Sequence, residues 1–391
     1  MAVNQSTGVR GIGRDLGCSA EPAATCAFRW ARESGAEGVA RLADAWNGLA
    51  HGGSLSPTAD AIWTGCLWRA FASSNERLAV RALYSGPELV AVLPLRGAGR
   101  SLRRWETFRS AHAPYWMFAL REMTPDAQRR AGAAILDELL RDACCIDLRY
   151  LHANGPLAQA LKDGAAARGL RTLIEDAGGD SLFDLGGSWD EVVARMGPNV
   201  AKNAPRKRRQ LEKLGRLSFD AHCDVGAVDA ALPECMDLEA AGWKGLEGTP
   251  MKSRPDTLRF YTELARQSAA VGRFALYTLR LGGRVIAFEY CIRAQRKIDM
   301  LKISFDPDSA RYSPGNVLRY LIFEREHALR TCDTYHMGRP SEWKLRWATR
   351  VEPLIRLRVF ARGLAGGAAR LAGRLRGFAG RAQFASIGTQ F

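Results

Sequence analysis

Ser313, Pro314 and Gly315 stand together at the start of a helical pattern, and that trio can hold a phosphate. Serine suits an N-cap, proline tolerates the first helical position, and glycine leaves the backbone open at the second. The unbonded amides and positive dipole end of such a helix favour an anion, and Arg311 just upstream can add a charge-assisted contact. A second concentration of charge runs from Arg195 to Arg216, where eight cations, including Arg206 and Arg209, face the single acid Glu212. Its functional reading is a basic connecting helix that gathers an anionic acceptor or the phosphate end of a donor. Its plainer reading is a solvated linker. The run has no interleaved aromatics for stacking on bases, which argues against nucleic acid. The nine cysteines show no C-x-x-C spacing and the six histidines no H-x-x-x-H pair, so neither a disulfide framework nor a metal site is expected.

The elements that must position these residues follow from periodicity. Val317, Leu318, Leu321, Ile322, Ala328 and Leu329 continue one apolar face behind Pro314, so a helix packed on one side is predicted. Lys297–Phe305 ahead of it and Cys332–Met337 behind it read as strands. Phe274–Leu281 and Arg284–Ile292 complete an antiparallel meander turned by Gly282 and Gly283. Earlier in the chain, Leu78–Leu83 and Leu89–Leu95 form a predicted hairpin. A helix over Thr124–Asp142, a strand over Cys145–Leu151, a helix over Pro156–Arg168 and a strand from Leu170 follow it. Ala27–Ala50 and Ala59–Ser73 are predicted helices, as are Val228–Gly242 and Asp256–Ala270. Pro205 is expected to break the basic run. The order hairpin, helix, strand, helix occurs twice, so the fold class is α/β (α+β) with two similar tandem units. The first unit has no Ser-Pro-Gly helix start and is read as a degenerate copy that shapes the substrate site.

The boundaries that follow are a tail over 1–25, an N-terminal unit over 26–187, a basic connector and acceptor-side helices over 188–270, a C-terminal core over 271–360 and a basic Gly/Ala/Arg-rich tail over 361–391. A chain of 391 residues exceeds what one core normally serves. Fifty-six basic residues against 41 acidic ones give a net charge of +15, which makes anionic partners expected without choosing among them. No run of about 18 apolar residues occurs, so a cytoplasmic protein is expected. The C-terminal tail has an apolar face and arginines that can touch a membrane surface weakly, although its glycines oppose a helix.

Ser313, Pro314, Gly315 and Leu318 after a strand ending Ser304-Phe305-Asp306, followed by Tyr335, Gly338, Trp343 and Lys344, resemble the GNAT acyltransferase superfamily. The likeness is closest to the CelD-type, exopolysaccharide-associated acetyltransferases, relatives of the FemAB peptidyltransferases, and extends weakly over Ala72 to Leu357. Two positions depart from the pattern: Arg311 and Gly315 are one step too far apart, and His336 stands where an Asp is usual. The resemblance implies two GNAT-like units and acyl transfer from acyl-CoA (acetyl-CoA), a co-substrate needing no metal, to an amine of a small molecule or glycan precursor, without a covalent enzyme intermediate. Pantetheine would thread between Lys297–Ile303 and Thr334–Met337, so Ile303, Phe305, Arg311, Ser313, Gly315, Asn316 and Val317 are the expected donor contacts. Trp243 and Lys244 resemble the acceptor-side loop, and Arg206 and Arg209 are assigned to an anionic acceptor. A general base is useful because an ammonium must lose its proton. Glu289, which interrupts an apolar strand, is the first candidate; Asp299 and His336 are alternatives, and Lys344 can meet a phosphate or the leaving thiolate. An aminoacyl-tRNA-dependent transferase of FemAB type and a non-catalytic accessory protein of exopolysaccharide assembly are the competing functions.

Overall fold

The structure, a computed structural model, describes residues 27–52, 56–98, 103–108, 118–241, 250–363 and 366–368. The terminal tails and the Trp243–Lys244 loop assigned from sequence lie, wholly or nearly so, outside these residues. The first unit comprises β1 (Phe28–Ser34), α1 (Gly35–Gly52), α2 (Ala61–Phe71), β2 (Leu78–Ser85), β3 (Glu88–Ala98), β4 (Arg104–Glu106), β5 (Ala119–Leu120), α3 (Pro125–Leu139), β6 (Cys145–His152), α4 (Pro156–Ala167) and β7 (Arg171–Asp184). The second follows as α5 (Trp189–Arg195), α6 (Pro198–Glu212), β8 (Leu217–His222), α7 (Val225–Ala241), α8 (Pro255–Ala270), β9 (Phe274–Leu281), β10 (Arg284–Ala294), β11 (Lys297–Phe305), α9 (Pro314–Ala328), β12 (Thr334–Gly338), α10 (Glu342–Leu345) and β13 (Arg350–Phe360). Short 3₁₀ turns at Pro57–Ala59 and Pro307–Tyr312 precede α2 and α9.

All the described strands belong to one mixed sheet in the order β1-β2-β3-β4-β6-β13-β7-β12-β11-β10-β9-β8, with β5 beside β3. From either edge the path is the same: three antiparallel steps, one parallel step (β4 to β6, or β11 to β12), then an antiparallel neighbour. That last neighbour is exchanged. β7, which ends the first unit in sequence, pairs with β12 of the second, whereas β13 pairs with β6 of the first. β7 and β13 then pair with each other from Arg350↔Leu182 to Phe360↔Arg171. The fold is therefore mixed α/β, with a large sheet flanked by helices, and its two units share their central strands.

Packing explains which elements hold firm. One apolar cluster joins α2, α3, α4, α7 and α8 across both units. A second lies under α9 with Tyr335, Phe323 and Trp347 at its centre. α4 is pressed against α3 because Gly132 has no Cβ, which would otherwise collide with the carbonyl of Ala160. The Gly282-Gly283 turn takes positive φ at both residues (59° and 86°), as a two-residue hairpin requires.

Three expectations need correction. Residues 28–34 form an edge strand ahead of a helix that starts only at Gly35, because alternating exposure along Phe28–Ser34 suits pairing with β2 better than a helical face. Pro205 lies inside α6 without ending it. Ser313 gives no side-chain cap: it takes a left-handed conformation (φ 50°) between the 3₁₀ turn and α9.

Candidate active site

The parallel strands β11 and β12 pair at only three positions, Lys297↔Thr334, Ile298↔Tyr335 and Asp299↔His336. Beyond them β11 runs on to Phe305 beside β10, while β12 ends at Gly338. A fork opens at Asp299 and His336. A bulge on β11 drops Leu301 from the register with β10, the kind of irregularity that re-aims backbone groups beside a site.

His336 is held in the fork from the exchanged strand. Its Nδ1 lies 3.1 Å from Asp180 Oδ2 on β7 and 3.8 Å from Asp299 Oδ1 on β11. A carboxylate can only accept, so the proton sits on Nδ1 and a neutral imidazole presents a lone pair at Nε2. Among the described residues Nε2 has no hydrogen-bond partner, nor have Asp180 Oδ1 and Asp299 Oδ1, although all three are buried. Burial pushes the imidazole pKa down, but Asp299 and Asp180 outweigh it and the net displacement is upward. Burial raises the Asp299 carboxyl, against opposing contributions from His336 and a 2.6 Å bond donated by Ser56 Oγ. The turn that carries Ser56 is itself tied across the units: Arg273 pairs with Asp60, which caps α2 through the amide of Trp63 at 2.7 Å.

A cavity of about 410 Å³ opens against His336, lined also by Ser56, Tyr150, His152, Lys297, Thr334, Arg350 and Glu352 and by the first turn of α4. Its volume lies in the range of small-molecule sites. A smaller cavity of about 20 Å³ shares Ser56, Tyr150, His152 and His336 with it and reaches Asp180, Asp299 and Leu301. Tyr150, common to both, has φ 60°, a strained conformation for a residue with a side chain, and the Arg339 guanidinium lies 5.1 Å from its ring centre.

Glu289, the first candidate for the base, is held by other side chains. It points inward on β10, and burial raises its pKa, yet it lines neither cavity. Arg319 of α9 donates to its Oε1 at 2.5 Å and Tyr335 to its Oε2. The carboxylate is thus sealed into a pair that fastens α9 to the sheet, on the face opposite the Asp299–His336 cluster. This position does not suit a base that must meet an acceptor.

The residues that the resemblance assigns to a donor are gathered at the other arm of the fork. Ile303 and Phe305 are half-buried on β11, Ser313 and Gly315 lie at the entry to α9, and Arg311 and Asn316 are exposed. Val317 is buried under α9, so only its backbone belongs to this surface. The amides of Asn316 and Val317 already donate to Ser313 O at 3.0 and 3.1 Å, which leaves fewer amides at this helix start than sequence suggests. Gly315 does keep the approach open: an added Cβ would meet only Phe305 Cδ1, at 3.8 Å. Lys344 is turned away, donating to the carbonyl of Arg339 at 3.0 Å. The basic helix α6 packs against α9 and the Pro307–Tyr312 turn, where Lys207 donates to Arg311 O at 2.5 Å. Neither Arg206 nor Arg209 lines the large cavity; their helix α6 stands beside the entry to α9 instead. Among the described residues no group of three His, Cys, Asp or Glu is placed to hold a metal.

Residues 198–347 match the acetyltransferase (GNAT) domain model. The matched segment runs from α6 past α10 and contains the whole fork, which supports an acyltransferase. FemX is similar in structure at 10% identity and a TM-score of 0.57, over 85% of this chain and 97% of its own. So is the C-terminal domain (DUF2156) of a candidate lysylphosphatidylglycerol synthetase from Agrobacterium fabrum, at 15% identity and a TM-score of 0.53, over 86% and 97%. At such identities these likenesses speak for the fold alone. No curated protein gives a significant match.

Asp180 and Ser56 were not legible as site residues. Asp180 comes from the exchanged strand, 156 residues before His336 in the chain, and Ser56 reaches Asp299 across 243, so no spacing signals either contact.

Proposed function

We propose that the protein is an acyl-CoA-dependent N-acyltransferase in which His336, held by Asp180, is the general base. The observation that carries this reading is the imidazole at the opening of β11 and β12, with its Nε2 unpartnered and its edge on the large cavity. In this reading pantetheine follows the fork from the start of α9, and the thioester comes to rest near Asp299 and His336. The acceptor amine then attacks the thioester carbon from the cavity. A carbon–nitrogen bond forms, the carbon–sulfur bond breaks, the amine proton passes to Nε2, and the sulfur leaves as thiolate. Backbone groups at the Leu301 bulge are suited to polarise the carbonyl. The acceptor is an amine on a sugar, an amino acid or a polysaccharide precursor, and a role in exopolysaccharide modification is the finer form of the proposal. Work in the cytoplasm, where acyl-CoA is made, is part of it.

The placement of α6 beside the donor helix favours one second reading, an aminoacyl-tRNA donor whose backbone the basic helix would track. Titration calorimetry with acetyl-CoA separates the two. The first reading expects binding that Gly315→Val weakens by about tenfold or more, by filling the phosphate approach without a clash in the protein itself. Absence of acetyl-CoA binding, or wild-type affinity in a folded Gly315→Val, overturns it. Binding of charged tRNA that weakens steeply with salt would support the second.

A further inference from the structure

A second histidine, His152 at the end of β6, lines both cavities with His336, and its side chain is 22% exposed against 9% for His336. The two are set into the sheet in the same way. His336 stands opposite Leu182 of the exchanged strand β7, and Asp180, two residues before that leucine, lies 3.1 Å from its Nδ1. His152 stands opposite Leu354 of the exchanged strand β13, and Glu352, two residues before that leucine, lies 3.0 Å from its Nδ1. Residues two apart on a strand share a face, so each carboxylate reaches its histidine along a diagonal. Asp180 and Glu352 are also direct partners in the register of β7 with β13. His336, Asp180, Glu352 and His152 therefore form one row across four adjacent strands. Like charges in opposing positions repel, and each is offset here by its own histidine. The second pair is the looser one: among the described residues Nδ1 of His152 has no aligned hydrogen bond, although Glu352 lies within ion-pair distance. Glu352 is not itself suited to take a proton. The His152 ring, helped by Arg350 at 3.2 Å, holds its carboxyl down at about 2 against its burial, so it stays ionised and can offset a charge gained by the ring. Lys297, Glu122 and Arg350, the other charged groups on the large cavity, have partners of their own. An acceptor amine arrives as an ammonium, and two protons leave its nitrogen before the amide is complete; His336 accounts for one of them.

We propose that His152, backed by Glu352, is a second catalytic residue, which deprotonates the incoming ammonium. The nitrogen–hydrogen bond breaks with its electron pair left on nitrogen, and the proton goes to the His152 ring. The neutral amine then attacks the thioester, and His336 takes the proton released as the amide forms. The more open ring of His152 returns its proton to solvent. The assignment rests on the acyl-transfer reading above, and it divides the two protons between a histidine of the first unit and a histidine of the second.

Transfer from acetyl-CoA by the full chain at neutral pH to two probe amines tests it: ethylamine, which arrives protonated, and trifluoroethylamine, which is already neutral. His152→Gln is expected to lower kcat/KM about 10²-fold or more for ethylamine and by less than about threefold for trifluoroethylamine, whereas His336→Gln lowers both. The deficit of His152→Gln on ethylamine should shrink as pH rises and more of that amine arrives neutral. Glu352→Gln, at a position 38% exposed, is the milder variant and should lose about tenfold on ethylamine with trifluoroethylamine spared. A loss that is equal on both amines gives His152 a structural role alone, and no loss on ethylamine assigns the ammonium proton elsewhere; either result overturns the proposal. Wild-type transfer to neither amine overturns it as well. If acetyl-CoA still binds, only this assignment falls; if it does not, the acyl-transfer reading falls with it.

Discussion

The two forks of the sheet are built alike and finished differently. In the first unit β4 and β6 pair in parallel at Arg104↔Cys145, Trp105↔Ile146 and Glu106↔Asp147, so Glu106 and Asp147 occupy the positions that Asp299 and His336 hold in the second. There the exchanged strand β13 supplies Arg356, which grips Asp147 through Nε at 2.7 Å and through Nη2, while Glu106 pairs with Arg96. In the second fork the exchanged strand supplies Asp180, and among the described residues three polar atoms, of His336, Asp180 and Asp299, are left without partners. The helix starts diverge in the same sense. α3 carries its own cap, Thr124, and its own first-turn acid, Asp126. α9 has neither. The first fork leaves guanidinium nitrogens of Arg96 and Arg104 unmet but satisfies both carboxylates, whereas the second leaves carboxylate and imidazole atoms open. Burying an ion pair with both partners present holds a structure together, whereas leaving a buried polar atom unmet costs stability and is tolerated where a ligand meets it.

Breaking each fork should therefore give opposite phenotypes. His336→Ala is expected to lower kcat by about 10²- to 10⁴-fold, the usual cost of a lost general base, with acetyl-CoA affinity kept. Asp147→Asn should leave kcat per folded molecule unchanged and cost about 2 kcal/mol of stability, less than a fully buried pair because Arg356 is partly exposed and retains Glu175 at 3.3 Å. Burial pushes the Asp147 carboxyl up, but the bonds from Arg356 outweigh it and hold it below its ordinary value. Its stabilisation is accordingly present above the unfolded pKa and lost as pH falls through the folded one, so the variant should flatten the acid side of a stability profile. Chemical denaturation and steady-state turnover on both variants check the contrast, and a His336→Ala enzyme with wild-type kcat removes it.

How much of this was visible beforehand follows from the range of each signal. The meander, α9 and the α4 segment are local patterns, and their bounds in the structure agree to within a few residues of the periodicity. β13 escaped because Arg356 and Arg358, which alternate with Ile355, Leu357 and Val359, read as a solvated face. Only the fold reveals that Asp147 and Glu175 wait for them on neighbouring strands. Glu289 was singled out correctly as an anomalous acid in an apolar strand, but sequence could not tell a sealed pair with Arg319 from an open base. The strand exchange places Asp180 beside His336, and nothing in either segment encodes that crossing locally.

A milder change sharpens the comparison from within the second fork. Asp299→Asn keeps an acceptor for Ser56 and removes one of the two charges that hold the His336 pKa up. The base works in its neutral form, so activity rises as pH passes its pKa. The variant's acidic limb should therefore move to lower pH, while the plateau falls by less than about tenfold. The same sign governs stability: a raised His336 pKa contributes fully below its unfolded value and loses that contribution as pH rises through the folded one, and Asp299→Asn should reduce the loss. A kcat–pH profile unmoved by the substitution separates Asp299 from the base.

The smallest effect is expected where the charge is most exposed. Arg206 and Arg209 lie on the outer part of α6, beside the helix start that has no acid or cap of its own, and Arg206 spends one bond of 3.0 Å on Asn203. Solvent and salt screen such charges, so each contributes little to a bound phosphate, and their reach at physiological ionic strength is about 8 Å. Replacing both with Gln should raise the KM for acetyl-CoA by roughly threefold, leave kcat and the acceptor KM in place, and weaken the salt dependence of donor binding. The equivalent test on α3, reversing Asp126 to Lys, should change neither KM, because Thr124 already caps that helix through the amide of Ala127 and no ligand is drawn to it. If the α6 variant instead raises the acceptor KM, the basic helix serves the other substrate, and the division of the second fork into a donor arm and an acceptor cavity has to be redrawn.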